Sequence, residues 1–197
     1  MTNSNLRGHR KWHLSFVLAA ARVVTSIMLA WPILTAHAVQ DFHGRVVRVT
    51  DGDTIVVEDQ DRRRHKVRVV GIDAPEKGRR GRAGQPYAER SRQHLAELVE
   101  NGFVRLMTRE SDDYGRILAR VWASDVDEGS DIDVGLAQVC AGYAWVYEAF
   151  ANTLAAEQRA YRACQLKAKA GRQGLWQQAN PVPPWVWRHT RNSALAH

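Results

Sequence analysis

Cysteine is scarce in this 197-residue chain, which has only Cys140 and Cys164. Neither cysteine belongs to a Cys-x-x-Cys pair or to a Cys/His cluster, so the sequence offers no zinc site. Both lie in predicted helices. An even count permits one disulfide in an oxidising compartment, and two buried free thiols are the alternative. The sequence does not decide between them, because it does not give the distance between the two Cα atoms.

Acidic residues are absent from the first 38 positions, which contain four basic ones. The basic start is followed by an apolar run, broken by Pro32, and by a small-x-small triplet at residues 36–38. This pattern predicts that residues 1–38 are a signal peptide cleaved near Ala38. The run is short for a membrane span, so we expect export to the periplasm or the medium. A retained N-terminal membrane anchor is the alternative.

Charge of one sign does not dominate the rest of the chain. Without residues 1–38 there remain 24 basic against 21 acidic residues, a net charge of +3. The overall charge is therefore weak evidence for a nucleic-acid partner. Two dense basic runs, residues 61–68 and 76–82, are more suggestive, although such runs alone are typical of solvated loops.

Short β-type segments and three helical segments alternate after residue 38, without internal repeats. The patterns predict strands at residues 44–50, 54–58, 65–72, 103–108 and 116–123, and helices at about 87–101, 133–142 and 152–171. The order β-β-β-α-β-β-α-α indicates an α+β fold, a five-stranded OB-fold β-barrel with three α-helices. We assign this domain to residues 39–178. The Trp/Pro-rich tail, residues 179–197, is more typical of a hydrophobic latch than of a site.

Carboxylates and arginines occur where the predicted strands end or meet. Asp51 and Asp53 lie between the first two strands, and Asp73 and Glu76 end the third. Such oxygen ligands suit Ca²⁺ or Mg²⁺, although Asp-Gly is also ordinary turn chemistry. Arg68 interrupts a strand; its planar fork could bind phosphate oxygens, and a nearby carboxylate could deprotonate water. Together these residues indicate a phosphodiester site.

Three segments carry a family resemblance: VRVTDGDTI, VRVVGIDAPE and DDYGRILARVW. With QGLW near the end, they resemble the signature segments of the staphylococcal nuclease (thermonuclease) family, over residues 44–176. The resemblance implies a Ca²⁺-dependent nuclease that hydrolyses phosphodiester bonds of DNA and RNA and leaves 3′-phosphate and 5′-hydroxyl ends. By motif position, it implies metal ligation by Asp53, Asp73 and the main-chain oxygen of Ala74, with Asp51 nearby; catalysis by Arg68, Glu76 and Arg116; and substrate contacts from Tyr114 and Tyr147.

Three positions depart from the family pattern. Ala74 stands where the family often has threonine, and a main-chain oxygen survives that change. Asp113 stands where the best-known member has a basic side chain, which would weaken phosphate binding. Tyr147 matches only with a gap in the alignment, and a core aromatic residue is the alternative.

Two other classes of function compete with a nuclease. An OB barrel can bind single-stranded nucleic acid without chemistry, but such a module is expected to lose its catalytic positions, which are all present here. A structural or membrane-tethered partner protein is the second alternative. For the nuclease, we expect nucleic acid as substrate, no stable protein partner and a monomer.

Overall fold

A computed structural model describes residues 40–78, 81, 83–99, 102–124, 130–147 and 155–193. All of them belong to one compact unit, His37–His197. The predicted signal peptide, residues 1–38, lies outside the described residues. Parts of the second basic run and the start of the predicted third helix also lie outside them.

Five strands form a closed barrel. The sheet has the order β3-β2-β1-β5-β6, and a parallel pairing of β3 with β6 closes it. A short strand, β7, extends the sheet beyond β6, and β4 pairs separately with β8. The strands are β1 (Gln40–Asp51), β2 (Thr54–Glu58), β3 (Arg64–Val69), β4 (Ile72–Asp73), β5 (Phe103–Ser111), β6 (Ile117–Ser124), β7 (Asp131–Asp133) and β8 (Trp145–Val146).

The long strand β1 pairs with two neighbours. Its first half pairs with β5 and its second half with β2, and two register shifts interrupt the second pairing. Such irregularities bend a strand, which a small closed barrel requires. Alternating side chains from the strands fill the interior, including the fully buried Val46, Ile55, Val57, Val67, Leu106 and Val121.

Four α-helices are present in the described part of the chain: α1 (Ala88–Val99), α2 (Val134–Cys140), α3 (Ala155–Ala170) and α4 (Pro184–Ser193). None of the described helices is both long and apolar enough to cross a membrane. Helix α1 buries Ala88, Ser91, Leu95 and Val99, the spacing expected of one helical face. A disulfide between Cys140 and Cys164 joins α2 to α3, with 4.6 Å between the Cα atoms.

The predicted α+β OB-type barrel is confirmed, with two differences in detail. The predicted strand 65–72 is divided, because Gly71 adopts a φ of +81° between β3 and β4. The helix count is four rather than three, since the tail forms α4. Pro184 occupies the first position of this helix, where a missing N–H costs nothing.

Candidate active site

Side chains from α1 and α2 hold the turn between β1 and β2 in place. A Cβ atom at Gly52 would lie 1.9 Å from Ser91 Oγ and 2.8 Å from the Ala74 Cβ, so glycine allows this close approach. The buried Gln138 donates from Nε2 to the carbonyls of Gly52, at 2.6 Å, and Ser91, at 3.1 Å. These contacts fix the position of Asp53, the next residue.

Arg68 bridges two of the predicted metal-ligating carboxylates. Its Nη1 lies 2.6 Å from Asp53 Oδ2 and its Nη2 lies 2.7 Å from Asp73 Oδ1. Asp53 also accepts from the Thr54 hydroxyl, at 2.8 Å, and the Ala74 N–H, at 3.0 Å. Burial alone would raise the pKa of Asp53, but the Arg68 charge and these hydrogen bonds outweigh it and lower the pKa. Asp53 is therefore stabilised in its ionised form beside the Arg68 guanidinium.

The main chain of Glu76 is held by a single glutamine. Gln85 Oε1 accepts from the Glu76 N–H at 2.8 Å, and the Gln85 N–H donates to the Glu76 carbonyl at 2.8 Å. Gln85 Nε2 in turn donates to the carbonyl of Val182 at 2.9 Å. The turn that carries Glu76 is thereby attached to the C-terminal tail.

Arg188, on α4, enters this cluster and was not predicted from the sequence. Its Nη1 lies 2.6 Å from Glu76 Oε1, and its Nη2 lies 2.7 Å from Asp73 Oδ2. Burial would lower the pKa of Arg188, but its hydrogen bonds to both acids outweigh that effect and raise it. The tail is thus a latch, as its tryptophans suggested, and also part of the site. No motif marked Arg188; its only signal is its place one turn into a helix that begins at Pro184.

The loop before β6 holds the second predicted arginine. Arg116 lies 2.6 Å through Nη2, and 2.7 Å through Nε, from Asp112 Oδ2. Asp112 Oδ1 accepts from the N–H groups of Tyr114 and Arg116, at 3.0 and 2.9 Å. Arg68 pairs with Leu118 across the β3–β6 junction, so Arg116, two residues earlier, belongs to the same face as Arg68. Arg116 is ion-paired with Asp112, and its catalytic role stays a prediction.

The two predicted substrate tyrosines have different surroundings. The Tyr114 side chain is 84% exposed at the tip of its loop. Tyr147 is half-buried; its N–H donates to the Gly71 carbonyl at 2.9 Å, and its ring centroid lies 5.7 Å from that of Trp185. Tyr114 is therefore open to solvent, whereas Tyr147 packs against the tail. Asp51 ends β1, and its Oδ1 accepts from the Gly52 N–H at 3.3 Å.

The oxygen atoms gathered at this site indicate which metal it could hold. Among the described residues, no group of three or more His, Cys, Asp or Glu side chains is arranged to hold an ion. The predicted calcium ligands are instead two carboxylates and a main-chain oxygen. Asp53 and Asp73 share Arg68, and the Ala74 N–H is bonded to Asp53. Carboxylate and main-chain oxygens are the ligands that Ca²⁺ and Mg²⁺ prefer, so these residues fit either cation.

Known proteins with similar sequences indicate the family to which this chain belongs. A family model described as staphylococcal nuclease homologue matches residues 66–178. The chain belongs to the staphylococcal nuclease family. An Escherichia coli protein named uncharacterized endonuclease is 42% identical over 164 residues, covering 83% of this chain and 94% of its own. A Shigella flexneri protein named micrococcal nuclease is 35% identical over 180 residues, covering 90% and 97%. Protein ParB of Escherichia coli is 36% identical over 182 residues, covering 90% and 93%.

Membership of the staphylococcal nuclease family confirms the predicted family, the fold class and the class of enzyme, a hydrolase acting on phosphodiester bonds. The segment that matches the staphylococcal nuclease model contains Arg68, Asp73, Glu76 and Arg116. It ends before α4, so Arg188 lies outside the match. The individual roles of the site residues stay predictions.

Proposed function

We propose that this member of the staphylococcal nuclease family is an exported, calcium-dependent nuclease that hydrolyses phosphodiester bonds of DNA and RNA. Cleavage would leave 3′-phosphate and 5′-hydroxyl ends. The observation that carries this proposal is the buried bridge Asp53–Arg68–Asp73, with Glu76 three residues further on. It places a cationic fork and hard oxygen donors beside a carboxylate that can handle a proton.

Each residue has a distinct task in this proposal. Asp53, Asp73 and the Ala74 carbonyl would hold Ca²⁺, which polarises a phosphate and offsets its charge. Arg68 and Arg116 would bind the non-bridging phosphate oxygens and stabilise the charge that develops on them. Both arginines must then exchange a carboxylate partner for phosphate.

Glu76 would accept a proton from the attacking water, whose oxygen bonds to phosphorus while the bond to the 5′-oxygen breaks. The departing 5′-oxygen takes up a proton, which gives the hydroxyl end. Tyr114, exposed at the tip of its loop, would contact the nucleotide, and Tyr147 would be a second contact. Asp51 would add negative charge near the metal ligands.

Export is supported by the disulfide. A bond between Cys140 and Cys164 persists in oxidising compartments and is rare in the cytosol. This agrees with the predicted signal peptide at residues 1–38, with an N-terminal anchor as the alternative. Purification of the mature protein from the native host and measurement of its mass would test cleavage near Ala38.

Digestion of single- and double-stranded DNA and RNA by residues 39–197 tests the activity. Cleavage should require Ca²⁺, should stop with chelator, and should fall in Glu76→Gln by about 10²–10⁴-fold, the typical contribution of a general base. Glu97→Gln, an exposed position on α1, is the control with the same chemical change and should cleave normally. Products that a kinase can label at the 5′ end without phosphatase treatment would carry the expected 5′-hydroxyl.

Equal cleavage by Glu76→Gln would remove Glu76 from the mechanism. Binding of single strands without cleavage, whatever the metal, would instead support the OB-fold binding module. Asp113 and Ala74 would then be the first positions to examine.

A further inference from the structure

Both oxygens of the Asp73 carboxylate accept hydrogen bonds from arginines. Oδ1 accepts from Arg68 at 2.7 Å and from Arg188 at 3.2 Å, and Oδ2 accepts from Arg188 at 2.7 Å. Glu76 Oε1 is bonded to Arg188 at 2.6 Å. A cation that binds Asp73 through Oδ2 therefore competes with Arg188 for that oxygen.

Of the two arginines bonded to Asp73, Arg188 can leave at the lower cost. The Arg68 side chain is 8% exposed and is also paired with Asp53, so its release would break a second buried ion pair. The Arg188 side chain is 35% exposed, and it reaches the carboxylates from a surface helix. Release of Arg188 therefore leaves fewer buried charges without a partner than release of Arg68 would.

Helix α4 is held in place by contacts that do not involve Arg188. The Trp185 ring centroid lies 5.8 Å from Trp145 and 5.7 Å from Tyr147. Gln85 Nε2 bonds to the Val182 carbonyl just before the helix. A released Arg188 side chain would therefore stay tethered beside the carboxylates.

The net charge of the cluster indicates a role for the released Arg188 side chain. The three acids Asp53, Asp73 and Glu76 and the two arginines Arg68 and Arg188 sum to a charge of −1. A divalent cation changes this to +1, which complements the single negative charge of a phosphodiester. Without Arg188 the sum over these groups would be one unit lower, so Arg188 makes the cluster more attractive to a phosphate.

We propose that Arg188 is a third phosphate-directed arginine, held on Asp73 and Glu76 until a divalent cation binds Asp73 and then available to the substrate phosphate. This inference rests on the proposed nuclease function, because it assumes the same metal and the same substrate class. Arg188 has two opposing effects in it. It weakens binding of the cation alone, and it strengthens binding of phosphate once the cation is present.

Calcium titration calorimetry without substrate tests the first effect. In Arg188→Met the apparent Kd for Ca²⁺ should tighten on the order of tenfold, because affinity falls in proportion to the fraction of molecules whose site is open. Arg159→Met, an exposed position on α3 that removes the same charge, should leave the Kd unchanged. An unchanged Kd in Arg188→Met would overturn the proposal.

Titration of thymidine 3′-phosphate at saturating Ca²⁺ tests the second effect. Arg188→Met should bind this nucleotide about tenfold more weakly, as expected for one lost charge-assisted contact. Equal nucleotide binding would overturn the proposal and leave Arg188 as an inhibitory contact only. Neither titration needs cleavage, so an inactive protein would refute the proposed function while both results stay readable.

Arg188→Lys is the second variant if Arg188→Met does not fold. A lysine keeps the charge but cannot contact both carboxylates with a planar fork. It should tighten Ca²⁺ binding by about two- to threefold, less than methionine, because the ammonium still competes as a point charge. No change in Ca²⁺ affinity, with native circular dichroism, would count against the exchange.

Discussion

Cys140 and Cys164 close a loop across 24 positions, so removal of their bond should lower stability by a calculable amount. A loop of that length restricts the unfolded chain by about 3.5 kcal/mol at 25 °C in the chain-entropy description. For a domain of this size, each kcal/mol corresponds to about 2–4 °C in Tm, so the double variant Cys140→Ala/Cys164→Ala should melt about 7–14 °C lower.

Urea unfolding at 25 °C, followed by tryptophan fluorescence, would measure this difference. The oxidised protein is compared with the double variant and with the wild type in dithiothreitol. The two thiol-free or reduced samples should agree, and the reductant should not affect the double variant. Because the bond joins α2 to α3 rather than to the carboxylates, cleavage of DNA at 25 °C should stay within about twofold, as for substitutions remote from the chemistry.

A loss of less than about 1 kcal/mol in the double variant would contradict the reasoning, since the loop-closure contribution is several times larger. It would mean that the α2–α3 segment remains associated in the unfolded state. A large loss of activity at full folding would separately contradict the view that the disulfide acts only on stability.

Three further predictions concern the surroundings of the site. Gly52→Ala should cost about 1–3 kcal/mol and reduce cleavage, because the new Cβ would overlap Ser91 Oγ and move the turn before Asp53. Gln85→Leu removes the hydrogen bond that Gln85 Oε1 accepts from the Glu76 N–H and should lower kcat up to about 10²-fold at saturating Ca²⁺, the cost of a small misplacement. Asp112→Asn should destabilise by about 1–3 kcal/mol at pH 7, where the carboxylate accepts hydrogen bonds from the Arg116 side chain and main chain.

The controls for these predictions come from the same chain. Gly102→Ala should be nearly neutral in urea unfolding, because its Cβ would meet nothing closer than 3.4 Å. Circular dichroism should show a native fold for Gln85→Leu; an unchanged kcat would contradict the role given to Gln85. Gly52→Ala with normal stability and cleavage would show that the turn tolerates a side chain.

The Asp112 prediction depends on pH. Burial would raise the pKa of Asp112, but hydrogen bonds and the charge of Arg116 outweigh it and lower the pKa below 3.8. A lowered folded-state pKa means that the stabilisation is complete above about pH 4 and is lost as pH falls through the folded value. The difference from Asp112→Asn should therefore shrink as the pH falls below about 4; a constant difference would contradict it.

Local patterns in the sequence were sufficient for the barrel and for much of the site. Alternating apolar residues gave the five barrel strands, and the carboxylates at their ends gave the edge where Asp53, Asp73 and Glu76 converge. The order of the elements indicated a barrel, but the parallel pairing of β3 with β6 that closes it was not visible, because it joins segments about 50 positions apart.

Arg188 could not be predicted because its partners are remote and its surroundings misleading. It lies 115 positions from Asp73, in a tail whose composition predicted a hydrophobic latch rather than a site. Gln138 was missed for a similar reason. Its amide is buried and bonded to carbonyls 86 and 47 positions away, and an isolated glutamine within a helix gives no sign of such a role.

The bonds of Gln138 also determine how the site can open. One amide joins the Gly52 turn to α1, through Ser91, and to its own helix α2. If any one of these three elements opens, a buried polar group in another loses its hydrogen-bond partner. The amide hydrogens of all three elements should therefore exchange together. Helix α4 is attached by ring contacts, by the bond from Gln85 to Val182 and by the ion pairs of Arg188, and its amide hydrogens should exchange sooner once those ion pairs open. The carboxylate cluster can therefore open at its C-terminal side while the barrel stays closed.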